Sequence, residues 1–135
     1  MNATTTVAAL ATGLLLACMP ALAHHSFAAE YDESKPVKVT GVVSKVEWKN
    51  PHIWFYVDSK GDDGNLTTWG FSGAPPGMLQ RRGITKDAIK PGDVITVSGF
   101  RAKDGSFNAS GGKVVFAKDG REVFTAAVED AVPKN

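Results

Sequence analysis

Three histidines carry most of the chemistry that this sequence offers. His24 and His25 are adjacent, and His52 ends the segment Trp48-Lys49-Asn50-Pro51-His52. Neutral imidazoles bind divalent transition metals. A nitrogen-only set of tetragonal geometry suits copper(II), which also heads the divalent affinity order. If the chain is cut after Ala23, His24 gains a free α-amine beside its own imidazole, and the two nitrogens can chelate one ion. An imidazole from His25 or His52 completes a three-nitrogen set, a histidine brace. An α-amine titrates at about pH 8, so metal binding at neutral pH costs little deprotonation. A cut one residue earlier places histidine third, in Ala23-His24-His25, an amino-terminal copper and nickel motif that uses backbone amides. Plainer readings stand beside these. A histidine pair at a terminus is often solvated chain, and a histidine after Asn-Pro often caps a turn.

Other groups are placed to support such a site or to form another. Asp32 lies near the amino-terminal histidines, where a carboxylate can orient an imidazole. Trp48 and Asn50 flank the His52 turn and are expected to hold it. Trp54, Tyr56 and Trp69 are candidates for an aromatic face that takes a small organic or saccharide ligand, or an envelope protein partner. Core and rim packing is the plainer role for at least two of the three tryptophans. The sequence has no Gly-x-Ser-x-Gly, no phosphate-cradling glycine loop and no His-Glu-x-x-His. That favours binding over catalysis.

The 15 basic and 14 acidic side chains leave a formal charge of +1, which argues against a nucleic-acid binder working through a basic face. A single cysteine, Cys18, makes neither an internal disulfide nor an iron–sulfur cluster. Residues 1–23 carry no charged side chain, and Val7 to Met19 is apolar except for Thr12 and Gly13. Ala21-Leu22-Ala23 then supplies small residues at the two positions that signal peptidase reads. The expected organisation is a signal peptide over 1–23 and one domain over 24–135. The protein would be periplasmic or secreted and would meet the membrane only through its signal peptide during export. Two alternatives stay open: an uncleaved anchor, and lipidation at Cys18 in the lipobox-like Leu15-Leu16-Ala17-Cys18.

The domain must bring these groups together with short strands. Turn signals at Asn50-Pro51, Lys60 to Gly64, Pro75-Pro76-Gly77, Pro91-Gly92-Asp93, Asp104-Gly105 and Asp119-Gly120 divide it into pieces rich in Val, Ile, Thr and aromatics. Strands are predicted over 37–48, 53–58, 66–71 and 93–101, with a final hairpin of 112–117 and 122–125 about Asp119-Gly120. In the first strand the apolar parity switches, from Val37, Val39 and Val43 to Val42, Val46 and Trp48. This predicts a bulge or sharp coil beside Gly41, in a long strand that can serve two halves of one barrel. Pro76 and Gly83 bracket the one predicted helix, and a second short turn can follow over 85–89. Three strands, a helix, then two or three strands predict an all-β domain with one short helix. The expected form is a small five- to six-stranded OB-like Greek-key barrel.

Taken together, His24-His25-Ser26-Phe27, Tyr31-Asp32, Gly41-Val42-Val43, Trp48-Lys49-Asn50-Pro51-His52 and Gly92-Asp93-Val94-Ile95-Thr96-Val97-Ser98-Gly99 resemble a family of small exported bacterial proteins of unknown function. Its members share a mature HHSF start and a W-x-N-P-H turn. The resemblance spans nearly all of residues 24–135. It implies an exported protein of a Gram-negative bacterium, and it draws His24, His25 and His52 together as motif positions. It implies no activity.

Overall fold

The long first strand, β1 (Tyr31–Glu47), organises the sheet because it pairs with two neighbours in succession. The computed structural model describes residues 27–125 and residue 133. The chain divides into two units, Met1–Glu30 and Tyr31–Asn135. In the first, the described residues 27–30 are helical. The second contains β1, β2 (Trp54–Lys60), β3 (Leu66–Ser72), helix α1 (Pro76–Arg81), β4 (Val94–Ala102), β5 (Asn108–Ser110), β6 (Lys113–Phe116) and β7 (Glu122–Thr125). The unit is therefore all-β with a short helix, as expected. β1 starts at Tyr31 rather than Val37, and β5 is a strand that the turn pattern concealed.

β1 pairs with β4 from Tyr31 to Val42 and with β2 from Val42 to Glu47, so Val42 lies opposite both Val94 and Asp58. A β-carbon at Gly41 would lie 2.2 Å from the Asp58 carbonyl oxygen, so only glycine admits this approach. The parity switch itself falls later. The register shifts between Val43 and Lys45, which turns Val39 and Val43 inward before the bulge and packs Val46 and Trp48 against the core after it. Val42, placed by parity with Val46, is instead 44% exposed.

The remaining pairings run β2–β3 antiparallel, β3–β5 parallel and β5–β4 antiparallel, and with β4–β1 they form a ring of five strands. The β4–β5 link is a single bridge, Arg101↔Ala109. There Gly99 lies under the Ser110 carbonyl, whose oxygen would be 1.7 Å from a β-carbon at position 99. β5 and β6 both run antiparallel to β4, interrupted at Gly111 and Gly112, and β6 continues into a hairpin with β7.

The core follows from alternation along these strands. Ile53, Phe55 and Val57 are fully buried, as are Phe71, Leu79, Ile95, Val97 and Val114. Phe55 stacks on Phe71 at 5.5 Å and meets Phe124 edge-on at 5.8 Å. Helix α1 starts with Pro76 and ends in two capping bonds, Gly83 N–H to the Gln80 carbonyl and Ile84 N–H to the Leu79 carbonyl. This is the Schellman arrangement, with Gly83 at φ +76°. It places Leu79 in the core and packs Ile84 against it.

Candidate functional site

His52 lies on the exposed turn between β1 and β2, after a cis Asn50–Pro51 bond. Its Nδ1 is 2.9 Å from the Gly73 carbonyl oxygen. A carbonyl can only accept, so Nδ1 carries the proton and the lone pair of the neutral ring sits on Nε2. The same turn is fastened by backbone bonds, Gly73 N–H to the Ile53 carbonyl at 2.8 Å and Ile53 N–H to the Ala74 carbonyl at 3.3 Å. Trp48, just before the turn, packs against the core, and Asn50 is exposed on it.

Next to Gly73, Ser72 closes β3, and its hydroxyl shares a hydrogen bond with the hydroxyl of Tyr31, the first residue of β1. Residues 72 and 73 thus hold both the His52 ring and the start of the first strand. This contact joins residues 41 positions apart, and no local pattern announces it. His24 and His25 lie outside the described residues. Among the described residues, no three His, Cys, Asp or Glu side chains come together as a metal-holding group.

Asp32 is committed locally. Its carboxylate accepts the Ser34 N–H at 3.0 Å and the Ser34 hydroxyl at 2.6 Å, and it lies 3.4 Å from Lys35 Nζ. The two Ser34 bonds, aided by Lys35, hold its pKa below the ordinary aspartate value. These described contacts gather residues 32–35 into a local turn.

The aromatic trio divides between two faces. Trp54 and Tyr56 are half-buried and alternate with the core residues of β2, while Trp69 pairs directly with Val57 and therefore shares the core-side face. Trp69 stacks on Phe71 at 6.2 Å and meets Phe107 edge-on at 5.3 Å. The Arg101 guanidinium lies 5.7 Å from the Trp69 ring and 5.3 Å from Phe107, and bonds the carbonyls of Gly105 and Ser106. Phe107 is 52% exposed. Neither Phe107 nor Arg101 is signalled by the sequence as part of a surface cluster.

On the outer side of β1 and β2, Lys45 and Lys49 approach the Glu47 carboxylate at 2.7 and 3.0 Å. Their hydrogen bonds, Lys45 first, bring the Glu47 pKa down to about 2. Tyr56 donates its hydroxyl to the same carboxylate at 3.3 Å, and the Lys45 ammonium sits 5.5 Å from the Tyr56 ring. Tyr56 is thereby tied into an ionic row whose spacing, 45, 47 and 49, is a same-face strand pattern visible in the sequence.

A groove of about 520 Å³ opens between residues 83–90 and the β6–β7 hairpin, lined among others by Thr85, Phe116, Arg121 and Val123. None of the sequence-predicted site residues lines it. No described helix is long and apolar enough to cross a membrane.

Comparison with known proteins adds a family and nothing about activity. Searches of curated proteins and of solved structures return no match. The family of unknown function DUF6152 matches residues 11–112, a stretch that takes in His24, His25, His52, Tyr31 and Ser72 and stops short of β6. With most of its length matched, the chain belongs to this family of unknown function.

Proposed function

We propose that this protein is an exported copper-binding protein, periplasmic or secreted, that carries or sequesters the ion. The α-amine and imidazole of His24 chelate copper(II) once the signal peptide is removed after Ala23. His25 and His52 complete the nitrogen set. The observation that carries this reading is the hydrogen bond from His52 Nδ1 to the Gly73 carbonyl. Metal-binding histidines commonly donate their other ring N–H in this way, which fixes the tautomer and raises the basicity of the ligating nitrogen.

The test is a copper titration of protein purified after processing, with its amino terminus verified by sequencing. His24→Ala and the unprocessed form are measured beside it. The processed wild type is expected to bind at least about tenfold more tightly than either. Equal affinity in all three would sink the brace.

A second reading has one observation in its favour. The half-exposed Phe107, edge-on to Trp69 beside Arg101, suits a small organic or saccharide ligand or an envelope protein partner. Tryptophan fluorescence titrated with a saccharide panel tests the small-ligand case. A response lost in Phe107→Ala supports it, and no response to any member counts against it.

A further inference from the structure

We propose that the groove between residues 83–90 and the β6–β7 hairpin binds a small carboxylate with an apolar body. This site is separate from both readings above, since neither His52 nor the Trp69 and Phe107 cluster lines it. Its hairpin wall also lies beyond residues 11–112, the stretch matched by the family.

Both walls are built before any ligand arrives. On one side, Gly83 ends helix α1 at φ +76° and sends the chain into a run of turns. There Ala88 N–H bonds the Thr85 carbonyl at 3.0 Å, and Lys90 N–H bonds the Asp93 carboxylate at 2.8 Å. On the other side, the hairpin turn is closed by Gly120 N–H to the Phe116 carbonyl and by Phe116 N–H to the Arg121 carbonyl. Arg121 N–H adds a bond to Asp119 Oδ1. The Arg82 guanidinium ties the walls together through the Thr125 carbonyl, 3.1 Å from Nη1. A volume of about 520 Å³ suits a small molecule, whose sites run to roughly 300–1,000 Å³. Fixed walls also lower the ordering cost of binding.

The groove sets an apolar surface beside a positioned cation that no anion neutralises. Ile84, Phe116 and Val123 are half-buried and packed against the core, and they line the groove. The Arg121 guanidinium lies 4.5 Å from the centroid of the Phe116 ring. An aromatic face holds a cation in place without cancelling its charge. Among the described residues, no carboxylate pairs with the side chain of Arg121 or with that of Lys90, the other cation lining the groove. Two of the lining carboxylates are engaged. Asp93 accepts the Lys90 N–H, while Glu122 accepts the Thr125 hydroxyl at 2.6 Å and lies 4.0 Å from Lys113 Nζ. Asp87 remains, so two uncommitted cations stand against one uncommitted anion. A planar guanidinium offers parallel N–H donors that match a carboxylate. The apolar surface beside it takes a hydrocarbon body, which a bare inorganic anion would leave unused.

The experiment titrates the isotope-labelled protein with acetate, isovalerate, phenylacetate and the uncharged phenylacetamide, following backbone amide shifts. Phenylacetate is expected to shift the amides of residues 83–90 and 116–123. It should bind at least about tenfold more tightly than acetate, which lacks the apolar body, or than the amide, which lacks the charge. Arg121→Gln removes the charge and should weaken phenylacetate about tenfold or more. Thr85→Trp, at an exposed position on the groove wall, should block binding. Lys103→Gln, an equal change of charge away from the groove, should leave it unchanged. The dispersion of the amide spectrum reports that each variant is folded. No groove shift with any of the acids overturns the proposal. So does equal affinity for acid and amide, an unchanged affinity in Arg121→Gln, or an equal loss in Lys103→Gln. Self-association that Thr85→Trp abolishes, without carboxylate binding, would assign the groove to a second copy and overturn it too.

Discussion

Replacing Gly99 with alanine attacks the ring of strands at its weakest link. A β-carbon at position 99 would lie 1.7 Å from the Ser110 carbonyl oxygen, 2.8 Å from its carbon and 3.0 Å from Ser110 Oγ. Ordinary contact begins at 3.4 Å, so β4 and β5 must separate by more than a full ångström. The nearest atoms are backbone and cannot swing aside. Overfilling a packed interior costs about 1–3 kcal/mol. The separation also breaks the bond from Phe100 N–H to Ser110 Oγ, now 2.9 Å, which adds about 1 kcal/mol. A total of about 3 kcal/mol is a large share of the roughly 5–15 kcal/mol that stabilises a domain. It lowers the melting temperature by about 12 °C or more at this size. Urea denaturation followed by circular dichroism measures it, with the slope unchanged if only stability moves. Gly120→Ala is the control. That residue has φ +70° and no atom within 4 Å of its β-carbon position, so its cost of about 1 kcal/mol is conformational. Asparagine, which visits the left-handed region more readily, should recover part of that cost at position 120 and none at position 99. A loss below about 1 kcal/mol for Gly99→Ala would refute the close β4–β5 approach.

Further expectations concern the core, the ionic row and the metal. Phe55→Ala removes a fully buried ring that touches both Phe71 and Phe124 and should cost about 3–5 kcal/mol by the same assay. Glu47, with its pKa lowered to about 2 from 4.5, contributes stability that is fully present above about pH 4.5 and lost as pH falls through about 2. The difference between wild type and Glu47→Gln should therefore close over that acid window, and salt should shrink it at neutral pH because its lysine partners are exposed. His52→Ala should weaken copper binding of the processed protein about tenfold or more, read by competition with a chromogenic chelator.

Much of the scaffold was legible in the residues. Ile53, Phe55 and Val57 alternate with Trp54 and Tyr56, and burial follows that alternation. Pro76 and Gly83 bracket the helix because proline suits its first turn and glycine the left-handed position after its end. The bulge in β1 was foreseen through parity, but parity marks only a neighbourhood. Gly41 drew the reading toward itself, whereas its missing side chain serves the approach to Asp58 and the shift occurs at Val43/Lys45. β5 stayed hidden because Asn108-Ala109-Ser110 has no strand-forming composition. Its conformation comes from its neighbours, β3 and β4. The candidate site was legible at His52 and not at its supports. Ser72, Gly73 and Tyr31 meet only through long-range pairing, which leaves no local trace. Trp69 joined Trp54 and Tyr56 by residue type, but the register Val57↔Trp69 puts it on the other face.

The double pairing of β1 also sets an order of events in folding. β1, β2 and β3 follow one another with short turns, so their ladders can zip locally. The β1–β4 ladder waits on a far longer loop, with Thr40 meeting Thr96 across 56 positions. Until β4 arrives, the first half of β1 is an unpaired edge on an otherwise formed meander. Such edges recruit other chains and seed aggregation. This one is Lys35-Pro36-Val37-Lys38, with two cations and a proline where a foreign strand would bind. These residues in the first half of the strand thereby keep a newly made chain solitary until its own partner strand closes over them.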